Sequence, residues 1–451
     1  MAAPNIGASD RSPWVLVTLA GATLCALAVL GIQLLVTVVA FAVQATFLLY
    51  FVRHLLFSVS AMQEASQRAN LVTTDRAFRP RVSVLVACKD EVAVIDGLVQ
   101  SLLRLDYPAD LLQIVIVDDG SSDGTGMVLD RLATVHPQLT CLHREANGGK
   151  PAALNSGLGL VTGEIVVVFD ADHRPHRDVL RRLVRHFQDP SVGAVQGRCV
   201  ISNAEETPVT RLVAVDYLAG YLVNEHGRQA VVQLPAYGGA NCAVRSRDLW
   251  AVGGWNPASV TEDTDLTLRL VLAGRRVRYD VTAIDEEEAV INISRYWKQR
   301  YRWARGHQKV WRDYRRAVWS SGHMSLAEKV ETTMFLLAFH VPVASGVGLV
   351  VLFAAMVGLA TPRQLFDTSA LWTLLFIGPL LELGGALLVA RTPRREALAL
   401  VWFLPLFMVS IALCTKAWFD GLLGRSYLWV KTERTQATMA VTPGPVGGAL
   451  R

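Results

Sequence analysis

Three clusters of acidic residues stand out, two where apolar runs end and one at the start of a helical stretch. Asp170-Ala171-Asp172 closes the run EIVVVFD (Glu164 to Asp170). Two carboxylates one residue apart at a strand end can both turn toward one hard divalent cation, which takes oxygen ligands and commonly keeps a diphosphate as co-ligand. Burial alone would not place two charges directly after a fully apolar strand. Asp118 and Asp119, followed by GSSDG, close QIVIVDD (Gln113 to Asp119) in the same way. Here an Asx-type turn capping the next helix is a second reading, compatible with the first. Lys150, in NGGKPAALN, follows two glycines and precedes a helical stretch, so its ammonium and nearby N–H groups can meet a phosphate. The run Thr261-Glu262-Asp263-Thr264-Asp265 opens a helical stretch, LTLRLVLAG. A helix dipole accounts for one acid there and less well for three, which leaves one of them available as a general base toward an acceptor hydroxyl. Neither common nucleotide fingerprint is present. Arg144 stands where a Walker A loop needs Gly and Pro151 where it needs Ser or Thr, and no GxGxxG follows the first strand, which argues against a dinucleotide-binding oxidoreductase.

These residues need a scaffold that brings strand ends together. VSVLVA (Val82 to Ala87), QIVIVDD, EIVVVFD and VGAVQG (Val192 to Gly197) are continuous apolar runs of the kind buried on both faces of a parallel sheet. Amphipathic stretches, Val92 to Leu105 and Ala152 to Leu160, lie between them. The alternation predicts an α/β layer architecture with its ligand at the strand C-terminal ends.

The rest of the chain belongs to a bilayer. Of the 451 residues 52% are hydrophobic and only 18% charged, against about 25% charged in a soluble domain, and the mean hydropathy is +0.32. This excludes an ordinary cytosolic enzyme and a disordered chain. Trp14 to Val52 is close to twice the length of one span, so two helices joined near Gly31 to Gln33 are expected. A cleaved signal peptide would have a far shorter apolar core. Met334 to Ala360, Ala370 to Ala390 and Leu398 to Leu423 are each long enough to cross, and Glu382 is an acid inside one of them. Between catalytic domain and late spans runs Arg295 to Arg316, where Tyr, Trp and Arg recur at helical spacing, as suits a helix at head-group depth. The expected layout is a tail over 1–13, two transmembrane helices over 14–53, and a linker over 54–81. A catalytic α/β domain over 82–294, interfacial helices over 295–330, about three transmembrane helices over 331–423 and a tail over 424–451 complete it. The net charge of +5 points to anionic lipid head groups rather than nucleic acid. Six scattered cysteines without a CxxC pair read as reduced residues of a cytosol-facing protein.

Taken in order, VACKDE, DDGSSDG, GGKPAALN, DAD, TED and Gln299-Arg300-Tyr301-Arg302-Trp303, a QxxRW signature, resemble the membrane-integrated family-two glycosyltransferases. That group holds cellulose, chitin, hyaluronan, curdlan and poly-N-acetylglucosamine synthases and related glycolipid synthases. The resemblance covers roughly Val82 to Lys309. It implies a GT-A (Rossmann-like) catalytic domain inserted between transmembrane helices, a UDP-sugar donor and Mg²⁺ or Mn²⁺. It further implies that Ala87, Glu91, Asp118 and Asp119 serve the nucleotide and that Asp170 and Asp172 serve the diphosphate and metal, with Lys150 beside them. Asp263 would be the base with Glu262 beside it; Gln299, Arg302 and Trp303 would meet the pyrophosphate and acceptor, and the loop around Gly239 the acceptor sugar. A single in-line attack would invert a UDP-α-sugar to a β-linkage, since no second carboxylate pair suggests a covalent intermediate.

The resemblance implies transfer of a hexose, glucose or N-acetylglucosamine, to a growing β-linked polysaccharide at the plasma membrane, with the catalytic domain in the cytoplasm. A glycolipid synthase acting on diacylglycerol or another lipid is the alternative. It stays open because the FxVT gating motif of cellulose synthases is absent and only about 28 residues follow Leu423. A nucleotide-binding receptor would have no use for the acid of TED, and a transporter would show more charge in its spans.

Overall fold

The computed structural model describes residues 17–23, 31–67, 78–236, 238–358, 368–392 and 400–425. Most of the first expected span, residues 68–77 of the expected linker, residues 393–399 and the tail beyond residue 425 lie outside them. Helix α1 (Ile32–Gln67) starts just after Gly31, whose φ is +89°, and continues through Arg53 and His54, past the end of the apolar run.

The α/β domain follows. Its elements are β1 (Val82–Cys88), α2 (Ile95–Leu103), β2 (Leu112–Asp118), α3 (Thr125–Val135), β3 (Leu139–His143), α4 (Lys150–Leu158), β4 (Ile165–Asp170) and a two-residue β5 (Arg174–Pro175). Then come α5 (Val179–Val184), β6 (Val192–Ile201), α6 (Pro208–Ala219), two π-helical stretches (Gly220–Glu225 and Arg228–Val232), β7 (Cys242–Arg245), α7 (Ser246–Ala251), α8 (Glu262–Leu272) and β8 (Arg276–Glu287). The eight strands form one sheet in the order β3-β2-β1-β4-β7-β6-β8-β5. Strands β1 to β4 pair in parallel, as the apolar runs predict. The VGAVQG run of β6 does not join them directly: β7 intervenes, antiparallel to both β4 and β6. β7 is four residues long, too short to show a period, and the sheet is therefore mixed rather than parallel throughout.

Side chains of each central strand alternate between two cores. Val82, Val84, Val86, Ile114, Ile116, Val167 and Phe169 pack with α2, α3 and α5 on one face. Leu85, Val115, Val117, Val166 and Val168 pack with α4, α8 and later helices on the other. A sheet covered on both faces needs apolar residues at every position, which is why these runs show no polar alternation.

Helix α9 (Ile293–Ser320) carries the aromatic and basic segment and is capped by Asn292, whose side chain accepts the N–H of Arg295. Next are α10 (Leu326–Leu337), capped by the Ser325–Glu328 box, α11 (Val341–Met356), α12 (Thr368–Val389) and α13 (Phe403–Leu422). Among the described residues three helical runs are long and apolar enough to cross a membrane: Gln33–Gln63, Leu326–Met356 (α10 and α11 joined through a tighter turn) and Leu400–Leu422; Ile377–Val389 is a shorter apolar stretch. α12 packs along α1 and on α6, and α9 lies against α10 and α13, so the apolar helices and the α/β domain share surfaces directly.

Candidate active site

Parallel register sets the strand ends level. Ala87 pairs with Asp170 and with Val117, and Cys88 with Asp118, so the acidic loops emerge side by side from the sheet. They open into a cavity of about 820 Å³ lined by Ala87, Glu91, Asp119, Lys150, Asp170, Asp172, Gly239, Glu262, Asp263, Gln299, Arg302 and Trp303. Of the residues expected at the site from the sequence, only Asp118 is missing from that lining. Its carboxylate turns the other way, accepting the N–H of Ser121 at 2.9 Å and facing His143 Nδ1 at 3.2 Å. The Asx-turn reading describes Asp118, which does not line the cavity. The reason is the pleat: adjacent strand-end residues point to opposite faces.

Asp119 is buried and points inward. It accepts the N–H groups of Gly148, at 3.1 Å, and Gly149, at 2.7 Å, and pairs with Arg144. Arg144, which disqualifies the loop as a Walker motif, thus ties the NGGK loop to the end of β2. Lys150 begins α4 and joins two of the acidic motifs to the loop before TED: its Nζ lies 2.6 Å from Asp170 Oδ1 and 3.8 Å from Glu262 Oε1, and donates to the Gly239 carbonyl at 3.0 Å. Those two carboxylates outweigh the burial that would otherwise lower its pKa, and they hold it above its ordinary value.

The three acids of TED-TD separate into two roles. Asp265 is held by Arg269 at 2.7 Å, Asn256 at 3.1 Å and the Tyr314 hydroxyl at 2.8 Å, and fastens α8 to α9. Glu262 and Asp263 face the cavity. Burial pushes both carboxyls up; their mutual charge raises Glu262 further, while Lys150 and Arg302 pull both down and the Thr264 N–H pulls Asp263 down. Gly239, with φ +79°, brings its backbone so close that a Cβ would sit 3.1 Å from Asp263 Oδ2. Only glycine adopts that conformation without strain and leaves the carboxylate room.

The QxxRW segment lies on α9, across the cavity. Its approach depends on Gly306, where a Cβ would fall 2.3 Å from the Thr261 side chain, so α9 packs onto the first residue of TED. Gln299 Oε1 is buried without a hydrogen-bond partner among the described residues. Arg302 forms no hydrogen bond or ion pair among the described residues, although its charge reaches Glu262 and Asp263. The Arg300 guanidinium lies 4.4 Å from the Trp303 ring and pairs with Asp216.

Two residues at the site were not singled out from the sequence. Gln196 of β6 donates to Gly197 and Ala240 carbonyls and accepts the Gly238 N–H at 2.6 Å, which shapes the loop before TED. A glutamine inside an apolar strand was its only signal. His173 follows DAD directly. Its Nδ1 bonds buried Asp285, and its Nε2 lies 3.5 Å from Glu287, 3.9 Å from Asp172 and 4.0 Å from Asp170. Ligand atoms of Asp170, Asp172 and His173 lie within 4.8 Å of one another. Two carboxylate oxygens and an imidazole oriented by a second carboxylate suit a divalent cation.

A mixed sheet with acids at the C-terminal ends of its parallel strands, faced by an acidic helix start, defines a GT-A-like fold. Residues 80–306, about half the chain, match the family described as "Glycosyltransferase like family 2", and the chain belongs to that family; it is a glycosyltransferase. It is 40% identical over 261 residues to a beta-monoglucosyldiacylglycerol synthase of Synechocystis sp., a match covering 57% of this chain and 54% of that one. The chain thus spans about half the length of that relative. It is 28% identical over 249 residues to a poly-beta-1,6-N-acetyl-D-glucosamine synthase of Staphylococcus epidermidis, covering 55% of this chain and 60% of that one. Its fold is similar to that of a mannosyltransferase from Pyrobaculum calidifontis, solved in complex with GDP-Man and Mn²⁺. The TM-score is 0.59 at 23% identity, over 85% of this chain and all of that one.

Proposed function

We propose that this protein is a membrane-bound, inverting glycosyltransferase that moves a hexose from a UDP-sugar to a lipid acceptor drawn from the bilayer, diacylglycerol being the favoured acceptor. The observation that carries this reading is the extent of the cavity. It starts at Asp119 and Asp170 and continues to Tyr50 and Phe51 of α1, Phe339, Pro342 and Phe407, so a lipid can reach the acids without leaving the apolar helices. The diacylglycerol-using relative, at 40% identity, favours a lipid product over the polysaccharide that QxxRW suggests; the 28% match to a polymer synthase keeps the second reading in view.

Asp170 and Asp172, with His173 beside them, would hold Mg²⁺ or Mn²⁺, which when bound neutralises charge on the donor's diphosphate. Arg302, with no partner among the described residues, offers a two-pronged donor to the same phosphates as negative charge grows on the leaving UDP. Asp263 takes the proton from the acceptor hydroxyl while that oxygen attacks the anomeric carbon from the face opposite the departing UDP, so one C–O bond forms as one breaks and the configuration inverts. Burial serves this step, because a carboxylate whose pKa is pushed up is a stronger base in its ionised form. Asp119 and the Gly148 and Gly149 amides shape the donor's nucleotide pocket beside Ala87 and Glu91. The catalytic domain faces the cytoplasm in this reading, where UDP-sugars are made. Arg53 and the basic residues of α9 flank it with positive charge.

The test is incubation of purified protein in lipid with radiolabelled UDP-glucose or UDP-N-acetylglucosamine. A chloroform-soluble, single-sugar lipid is expected. A long water-soluble chain, with label absent from the lipid phase, would promote the polysaccharide reading in its place.

A further inference from the structure

The far wall of the cavity carries charge among helices read as membrane spans, where ionised groups must be paired or hydrogen-bonded. Glu382 of α12, 8% exposed, accepts hydrogen bonds from Asn224 Nδ2 and faces His54 Nδ1 of α1. Asn224 accepts on Oδ1 from Arg53 Nη1 at 2.8 Å, and Arg53 places its other nitrogens 2.7 and 2.9 Å from Glu331. Arg228, 2% exposed, lies 3.3 Å from Glu331 and 3.3 Å from Glu225, with its face 4.1 Å from the Phe335 ring. Both guanidinium groups are therefore engaged by carboxylates, and the three carboxylates outnumber them.

His307 of α9 stands apart from that pairing. Its ring packs against Phe335 and Phe339, with centroids 5.3 and 4.8 Å away, and it lines the cavity. Its Nδ1 is buried and has no hydrogen-bond partner among the described residues. Burial and the nearby Arg228 charge bring its pKa down to about 4, so the ring is neutral at neutral pH.

A phosphate seeks an unengaged cation. On this wall both guanidinium groups are already held by carboxylates and His54 faces Glu382, so it would meet further carboxylates at low dielectric, where like charge is costly. A hydroxyl brings no charge, and it can donate to Glu382, Glu225 or the His307 ring. The donor end, where Arg302 has no partner among the described residues, offers the opposite chemistry.

We infer that the membrane-side lobe, walled by Asn224, Glu225, Glu382 and His307, is the headgroup site of the acceptor, and that it selects an uncharged, hydroxyl-bearing lipid over a lipid phosphate. The inference rests on the lipid-acceptor reading above and adds the headgroup chemistry and the residues that read it.

The experiment uses the full chain in phosphatidylcholine nanodiscs with a labelled UDP-sugar and one acceptor at a time: diacylglycerol, phosphatidic acid or undecaprenyl phosphate. Transfer to diacylglycerol and not to either phosphate is expected. His307→Phe, which keeps the ring packing, should raise the KM for diacylglycerol about 10-fold, the size expected for one lost hydrogen bond to a substrate hydroxyl. UDP affinity should stay as in the wild type, which also reports that the variant is folded, and His307→Gln should recover part of the loss. Lipid-phosphate transfer comparable to that on diacylglycerol overturns the selectivity while leaving a lipid acceptor in place. An unchanged diacylglycerol KM in His307→Phe removes the site. A wild-type product that is polymer alone overturns the lipid-acceptor reading and this inference together.

Discussion

The two ends of one cavity hold similar groups in different states. At the sheet end Glu262, Asp263 and Asp170 crowd around Lys150, Asp172 lies near His173, and Arg302 stays without a partner among the described residues. At the membrane end Arg53 and Arg228 are closed into a network with Glu225, Glu331 and Glu382, and Asn224 bridges Arg53 to Glu382. Acids crowded together leave room for a cation and a proton to arrive, which is what catalysis on a diphosphate needs. Charges closed into pairs hold helices together and present a fixed surface. An open set is built for turnover and a closed set for position.

The largest expected effect breaks the open end. Asp263→Asn removes the base and should lower transfer by about 100-fold or more, while UDP binding is retained because the carboxylate acts on the acceptor. Near-normal turnover in that variant would reduce TED to a helix start. Chelation of divalent ions should likewise abolish transfer, and Asp172→Ala should weaken Mn²⁺ binding measured by titration as well as rate. Full activity in EDTA would remove the metal from the scheme.

The closed end should fail differently. Glu331→Gln leaves Arg53 and Arg228 facing each other with one carboxylate fewer, and removing one partner of a buried pair costs about 3–5 kcal/mol. A fall in Tm without a comparable change in donor KM is expected; an unchanged Tm would mean the network is not holding the helices.

The smallest effect sharpens the comparison. As the proposed base Asp263 works ionised, and its pKa in the folded protein lies above the ordinary carboxylate value, so activity should fall as pH drops through that raised pKa. Lys150 is a main charge holding the pKa down. Lys150→Gln should therefore move the acid limb of the kcat/KM profile to higher pH, whatever the plateau rate; a limb that stays in place would detach Lys150 from the pair.

Much of the donor end was legible in the chain. Strands buried on both faces show as unbroken apolar runs, and acids directly after them have no packing reason to be there, so Asp119, Asp170 and Asp172 stand out. Glu262 and Asp263 stand out less cleanly, because a helix start also favours acids; only the contacts of Asp265 with Arg269 and Tyr314 assign it to structure. Asp118 shows the limit in the other direction. It has the same neighbours in sequence as Asp119, and one step of the pleat turns it to the other side of the sheet.

The sequence by itself determined the elements and their order: short-range periods of two and 3.6 residues, turn glycines and long apolar stretches are local properties, and they survive without knowledge of contacts. Tertiary structure decided what depends on residues far apart in the chain. Strand β7, four residues long, enters the sheet only because β4 and β6 flank it. His173 gains its setting from Asp285, more than a hundred residues on. Arg53 finds Glu331, and Asn224 finds Glu382, because α1, α10, α12 and the π-helical stretch meet, and no local pattern marks which buried charges will be paired and which left open. Pairing is a matter of a few ångströms of distance, set by how helices pack, and packing is what a one-dimensional pattern does not carry.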